Sequence, residues 1–269
     1  MTLPAEAGAG RSAATATEAQ ALVVDGVFAG YGGGDVLRGV SFVVPEGGIT
    51  CVVGPNGCGK STMLAAISGL LKARKGGVTF RGKSLVGLSP RQVLDTGIAH
   101  VPQNHSLFKD MTVRENIELG AYTISDRREV ARRLATVDGM FPQVSGWATQ
   151  RAGALSGGQQ RLVEFARCLM LDPSLVILDE PSVGLAPKVL KSVFDAVRMM
   201  NAAGKTLLLV EQNARAGLRL SSHGVVMEGG LVRLEGTGRE VLEHPEIGAL
   251  YLGGTVTQNG NGNGNGNAR

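Results

Sequence analysis

The chain has 269 residues, of which 43% are hydrophobic, and a formal net charge of +4. This size and composition predict one large folded domain, or a core with a smaller lobe. No window approaches the run of about 18 apolar residues that a membrane-crossing helix needs, so the sequence predicts that any membrane association goes through another chain. The modest charge excess favours no particular class of partner.

Cysteine, histidine and arginine are scattered in ways that argue against several kinds of site. The cysteines (Cys51, Cys58, Cys168) lack CxxC spacing, and the histidines show no HExxH pattern. We therefore expect small core or loop cysteines in a reducing compartment, and no histidine metal site. Arginines cluster at 127–133 without interleaved aromatic residues, which favours a solvated helix face over a nucleic-acid contact.

The first elements read as strand, strand, strand and helix. Residues 1–20, rich in Ala, Thr and Gly, are predicted to be a disordered tail without a secretory signal. "ALVVDGVFAGY" (21–31) and "VLRGVSFVV" (36–44) predict two antiparallel strands. "ITCVV" (49–53) predicts a strand buried on both faces. Residues 60–71 predict a helix, whose apolar face would comprise Met63, Leu64, Ile67, Leu70 and Leu71.

The remaining elements alternate between strands and helices. Strands are expected at "GGVTF", "GIAHV", "LVILD", "TLLLVE", "GVVME" and "LVRLE". Helices are expected from Thr112, where Glu115 completes a capping-box spacing, and at 127–140, 156–171, 187–203 and 213–220. The Asn/Gly-rich end, 255–269, is predicted to be a flexible tail. This order predicts an α/β fold: a mostly parallel sheet covered by helices, an antiparallel β piece at the front and a mostly helical insert at about 104–170.

A glycine-rich loop follows the buried strand and opens the first helix. "GPNGCGKST" (54–62) matches GxxxxGK[ST] in the strand-loop-helix context that makes this pattern specific for phosphate. Its glycines let backbone N–H groups point at an anion, Lys60 supplies a cation for the β and γ phosphates, and Ser61 can ligate Mg²⁺. The predicted nucleotide-binding residues here are Gly54, Pro55, Asn56, Gly57, Cys58, Gly59, Lys60, Ser61 and Thr62.

Two adjacent acids end the strand "LVILD". A nucleotide triphosphate brings a divalent cation and a γ-phosphate that water must attack in line. Asp179 is suited to hold Mg²⁺, and Glu180, one residue on, to orient and polarise the water. The two carboxylates would repel each other in a dry site, and the cation would offset that repulsion.

A second anion-binding helix start is predicted at "LSGGQQR" (155–161). Ser156 can cap the helix that follows, and Gly157 and Gly158 leave bare backbone at its N-terminus. For these three residues taken alone, an ordinary serine-capped helix is the default interpretation. Spacing alone does not say whether the two phosphate half-sites meet within one chain.

These motifs together resemble the nucleotide-binding domain of ABC transporters over about residues 21–254: a P-loop NTPase core with an antiparallel β subdomain and an α-helical subdomain. The resemblance implies ATP and Mg²⁺ as cofactors, adenine stacking on Tyr31, and Gln103 near the metal and the attacking water. It also implies a head-to-tail dimer, in which Ser156, Gly157, Gly158 and Gln159 contact the nucleotide held by the partner's phosphate loop.

Within that family, "PSVGLAP" (181–187), "LLLVEQNARAG" (207–217) and "ALYLGG" (249–254) are similar to the ATP-binding subunits of branched-chain and other hydrophobic amino acid importers. This similarity implies a second, different ATPase subunit, two permeases at the cytoplasmic face of the inner membrane and an external solute-binding protein. Urea and amide importers remain an alternative. A soluble ABC ATPase without a permease, or a nucleotide-binding regulator with poor turnover, is also open.

The sequence departs from the general ABC pattern at two positions. Gln212 stands where most members have a histidine that contacts the γ-phosphate, and Ala186 where they have an aspartate. A glutamine amide can donate a hydrogen bond but cannot become cationic, so more of the catalysis is expected to depend on Glu180. Leu107, Phe108 and Met111 are explained equally well as core residues and as a surface that docks a permease.

Overall fold

The computed structural model describes residues 19–104, 106–245 and 247. The predicted tail up to residue 18, the "ALYLGG" segment and the tail at 255–269 lie outside these residues. The strands are β1 (Gln20–Ala29), β2 (Leu37–Pro45), β3 (Ile49–Val53), β4 (Lys75–Phe80), β5 (Lys83–Ser84), β6 (Ile98–Val101), β7 (Leu175–Asp179), β8 (Thr206–Glu211), β9 (His223–Glu228) and β10 (Leu231–Thr237). The helices are α1 (Lys60–Ile67), α2 (Pro90–Asp95), α3 (Val113–Glu118), α4 (Arg127–Met140), α5 (Pro142–Ser145), α6 (Gly157–Leu169), α7 (Pro187–Ala202), α8 (Ala214–Leu220) and α9 (Gly238–Glu243).

The strands form two sheets. One is antiparallel, with the order β2-β1-β4-β5, and the other has the order β10-β9-β3-β8-β7-β6. All pairs in the second sheet are parallel except β10 with β9. Helices α3 to α6 lie in the chain between β6 and β7. The predicted antiparallel hairpin of β1 and β2 and the predicted parallel sheet are confirmed.

The central strands β3, β7 and β8 are buried along their whole length, as their continuous apolar runs predicted. Alternate residues face two separate cores. Val52, Ile177 and Leu208 pack with the antiparallel sheet and α1. Val53, Leu178 and Leu209 pack with residues of α3 to α8 on the other face. Each fully buried valine, leucine or isoleucine contributes about 1.5–3 kcal/mol, so the carboxyl ends of these strands have rigid support.

Helix α1 is shorter than the apolar spacing predicted. It ends at Ile67, and Gly69 takes a positive φ of 73°. The N–H groups of Leu70 and Leu71 then both donate back to the carbonyl oxygen of Ala65, at 2.9 and 3.0 Å, a pattern that closes a helix. Leu70 is consequently 67% exposed, and its assignment to the buried face was wrong.

Cys51, Cys58 and Cys168 are all buried and free, which agrees with the prediction of small core or loop cysteines. Burial raises the pKa of the Cys168 thiol to about 12. In the part of the chain that the structure describes, no helix combines the length and the apolar character needed to traverse a bilayer.

Candidate nucleotide site

The loop at 54–62 joins β3 to α1 at the carboxyl edge of the parallel sheet. Gly59 is the N-cap of α1 with φ 109°, and a Cβ there would stand 2.8 Å from Leu37 Cδ2, so only glycine fits. Cys58, Lys60 and Thr62 are buried beneath the loop. Pro55, Asn56, Gly57 and Ser61 are exposed on it. The loop therefore presents backbone and the Ser61 hydroxyl outward, on a helix start that attracts anions.

Lys60 lies inside this loop. Its ammonium group donates hydrogen bonds to the carbonyl oxygens of Gly54 (2.8 Å) and Pro55 (3.2 Å). It also lies 3.8 Å from Glu180 Oε1, and its side chain is only 5% exposed. A buried cation at this position faces the acids that follow β7.

Asp179 ends β7, on the far side of β8 from the loop. Its Oδ1 is buried and has no hydrogen-bond partner among the described residues. Burial and the neighbouring Glu180 raise the pKa of Asp179 to about 6, and Lys60 and Arg161 partly offset that rise. The predicted repulsion between the two acids is thus present in the structure.

Glu180 has a backbone conformation that is rare for a residue with a side chain, with φ at +43°. Its N–H donates to the carbonyl oxygen of Val210 at 2.9 Å. Its Oε2 accepts a hydrogen bond of 3.0 Å from the amide of Gln103, which follows β6. The structure therefore brings together Lys60 at the start of α1, Gln103 after β6 and Glu180 after β7.

Arg161 fixes the segment that carries Gln103, and the sequence reading missed it. Its guanidinium group donates to the carbonyl oxygens of Pro102 (2.8 Å) and Gln103 (2.6 Å). It also pairs at 2.9 Å with Glu164, and both side chains are almost fully buried. The signal that could have identified this pair is an arginine and a glutamate three residues apart in a helix whose other residues are largely buried.

Residues 156–159 form the predicted helix start. Ser156 caps α6 in a reciprocal capping box with Gln159. Gly158 has a packing reason to be glycine, because a Cβ there would stand 1.9 Å from Val189 Cγ1. Among the described residues, no hydrogen bond or ion pair joins 156–159 to the loop at 54–62.

The remaining predicted residues lie at the rim. Tyr31 is 64% exposed in the loop between β1 and β2. Gln212 directly follows β8 and is exposed.

Three of the predicted residues have side chains that could hold Mg²⁺. Ser61, Gln103 and Asp179 offer hydroxyl, amide and carboxylate oxygens, the ligands that Mg²⁺ prefers, and the unpartnered Oδ1 of Asp179 suits a cation.

Comparison with known proteins places the chain in a family. A family model described as ABC transporter matches residues 37–183, more than half of the chain. The chain belongs to the ABC transporter family. This ABC cassette is 36% identical to the high-affinity branched-chain amino acid transport ATP-binding protein BraG of Pseudomonas aeruginosa, over 87% of the chain and all of BraG. It is also 36% identical to the probable branched-chain amino acid transport ATP-binding protein LivF of Archaeoglobus fulgidus, over 84% of the chain and 95% of LivF.

Solved structures agree with this assignment. The ADP conformation of an ATP-binding cassette from an ABC transporter superposes with a TM-score of 0.79 at 31% identity, over 87% of this chain and 99% of that one. A nucleotide-free ATP-binding cassette gives a TM-score of 0.76, also at 31% identity, over 85% and 97%. The predicted family and fold class of this ABC cassette are therefore confirmed.

Proposed function

We propose that this ABC cassette is the ATP-hydrolysing subunit of an importer for branched-chain or other hydrophobic amino acids. The observation that carries the catalytic part is the meeting of Lys60, Gln103 and Glu180 beside the unpartnered Oδ1 of Asp179. Relatives in Pseudomonas, Archaeoglobus and Methanocaldococcus, all named as branched-chain amino acid transport ATP-binding proteins, support the solute class.

ATP would be held by backbone and by three kinds of side chain. The N–H groups of 57–62 and the ammonium of Lys60 bind the phosphates, because the loop concentrates donors and positive charge at one helix start. The exposed ring of Tyr31 stacks on adenine. Ser61, Gln103 and Asp179 would hold Mg²⁺, which when bound neutralises phosphate charge.

Glu180 acts on the attacking water. Its Oε2 is held by the Gln103 amide and its Oε1 faces Lys60, so the carboxylate has a fixed direction and can accept the water proton. Gln212, exposed after β8, donates a hydrogen bond to the γ-phosphate. Neither group needs a histidine, so turnover should show no histidine titration.

A complete site needs a second ATPase subunit. In the part of the chain that the structure describes, residues 156–159 form no hydrogen bond or ion pair with the phosphate loop, and their helix start would contact the nucleotide of a partner placed head to tail. In the transporter this partner is a different ATPase subunit. ABC family membership implies permease subunits, and we propose that the pair lies beneath them at the cytoplasmic face of the inner membrane, with a solute-binding protein outside.

The permease would dock at an apolar groove of about 470 Å³ beside the helical insert. Phe108 is 57% exposed at its edge and Tyr122 67%, and Leu94 and Leu119 also line it. Leu107, by contrast, packs against the core. The core interpretation therefore fits Leu107, and the docking interpretation fits Phe108, whose side chain is available to a partner.

Glu180→Gln tests the proposal. Phosphate release from Mg-ATP by the purified full chain, at concentrations at which two copies can pair head to tail, should fall by about 100-fold or more, since a positioned base contributes 10²–10⁴-fold. ATP binding should persist because the loop at 54–62 is untouched. Glu129→Gln, which changes an acid on α4 outside the site, should keep the wild-type rate. Equal rates for wild type and Glu180→Gln would contradict the proposal.

A further inference from the structure

Glu211 is a buried acid that the proposed mechanism leaves without a role. It ends β8, the strand that lies between the one leading to the phosphate loop and the one leading to Glu180. In the sheet register it pairs with Val53, while its neighbour Val210 pairs with Asp179. Its side chain is 0% exposed.

Both oxygens of the Glu211 carboxylate bind Ser182, and the Asn213 backbone also forms a hydrogen bond with this carboxylate. Oε1 accepts the Ser182 N–H at 3.2 Å, and Oε2 accepts the Ser182 hydroxyl at 2.6 Å. Among the residues described, no lysine or arginine forms an ion pair with it. Burial and, to a smaller extent, the charge of Glu180 raise the pKa of Glu211, and the hydrogen bonds from Ser182 and the Asn213 backbone oppose that rise. An acid buried without a cation is costly to keep, which calls for a reason.

Ser182 lies two residues after Glu180, so its anchor constrains that acid. On one side, the Glu180 N–H is tied to the Val210 carbonyl oxygen. On the other side, Pro181 restricts the backbone and Ser182 is tied to Glu211. Glu180 is thus held between two consecutive residues of one buried strand. A non-glycine residue keeps a positive φ such as its +43° only where the surroundings enforce it.

We infer that Glu211 is a positioning residue for ATP hydrolysis: by holding the N–H and the hydroxyl of Ser182, it fixes the direction in which Glu180 presents its carboxylate. The inference rests on the role proposed for Glu180. It concerns geometry and needs no change in the charge of Glu211. Catalytic groups displaced by about 1 Å lose up to about 10²-fold in rate, so a loose Ser182 should be visible in kcat.

Substitutions at the pair separate hydrogen bonding from charge. Glu211→Gln keeps both contacts, because its oxygen accepts from the Ser182 N–H and its amide donates to the Ser182 hydroxyl oxygen. Glu211→Met keeps the length of the side chain but neither contact. Ser182→Ala removes the shorter contact and changes the fold least. Ser145→Ala is a matched control, since Ser145 also donates to a carboxylate, Asp138, at 2.6 Å, in the helical insert.

The experiment measures kcat for Mg-ATP and the dissociation constant of ATP for the full chain and these variants, at concentrations at which two copies can pair head to tail, with Glu180→Gln in the same series. We expect Ser182→Ala and Glu211→Met to lower kcat by about 10- to 100-fold with little change in ATP affinity. Glu211→Gln should stay within about threefold of wild type, and Ser145→Ala should match it. If Glu211→Met does not fold, Ser182→Ala and Glu211→Gln carry the test.

Three outcomes overturn the inference. One is wild-type kcat in Ser182→Ala while Glu180→Gln is inactive. Another is a large loss in Glu211→Gln, which would assign the effect to charge. The third is a parallel loss of ATP binding and kcat in Ser182→Ala, which would mean a structural role only. An active Glu180→Gln would instead refute the proposed function itself.

Discussion

Gly158→Ala tests whether the glycine in the α6 helix start serves packing or a ligand. The added Cβ would stand 1.9 Å from Val189 Cγ1 and 3.3 Å from Val189 Cβ. Valine is branched at Cβ and has one strongly preferred rotamer in a helix, so it cannot swing aside freely. Overpacking of this kind costs about 1–3 kcal/mol, and the better helix propensity of alanine returns at most about 1 kcal/mol. We expect a net loss of about 1–2 kcal/mol in the free energy of unfolding.

Urea denaturation of Gly158→Ala, Val189→Ala and the double variant measures this loss. Val189→Ala removes both γ-carbons, so the double variant should be no less stable than Val189→Ala alone. Wild-type stability in Gly158→Ala, or a loss that Val189→Ala does not suppress, would refute the packing argument. ATPase rates of the double variant test whether Gly158 also serves a ligand. Restored stability without restored turnover would assign the bare backbone of Gly158 to a ligand as well.

Three further predictions follow from other residues of the site. Because the pKa of Asp179 is raised to about 6, protonation stabilises the folded state below about pH 4, and this stabilisation is lost as the pH rises through 6. The stability of Asp179→Asn relative to wild type, measured by urea denaturation in EDTA, should therefore increase by about 3 kcal/mol between those limits, the free-energy equivalent of a pKa raised from 3.8 to about 6. Gln212→His should add a break near the histidine pKa of about 6.5 to the pH-rate profile, and a profile that the substitution leaves unchanged would contradict the role of Gln212. Phe108→Asp should abolish transport in the assembled transporter but leave basal ATP hydrolysis, whereas loss of folding would return Phe108 to the core.

The parts of the fold and site that were predictable are those encoded locally. The strand-loop-helix context located 54–62, and the capping box of Thr112 and Glu115 located the start of α3. The same signal stands at Ser89 and Gln92 before α2, and at Thr237 and Glu240 before α9, so those two missed helices were readable. Leu70 was misplaced because apolar spacing continues past the point where backbone hydrogen bonds close α1.

The parts that were not predictable depend on contacts between distant segments. Arg161 reaches Gln103 across 58 positions of sequence, and Ser182 reaches Glu211 across 29. Neither pair has a spacing rule, because their meeting depends on the order of the strands in the sheet. The packing of Gly158 against Val189 is likewise a consequence of how α6 lies on α7. The sequence offered a ligand or an ordinary capped helix start as the reason for that glycine, and gave no sign of Val189.

Hydrogen bonds from Arg161 join helix α6 rigidly to the segment that follows β6. Its guanidinium holds the carbonyl oxygens of Pro102 and Gln103, and Glu164 of the same helix accepts the Ser106 N–H. If a protein that binds in the neighbouring apolar groove displaces α6, the Gln103 amide should therefore move with the helix, and its distance from Glu180 should change. The Gln103 amide that holds Glu180 is thus attached to α6, the same helix that a protein bound in the groove would contact.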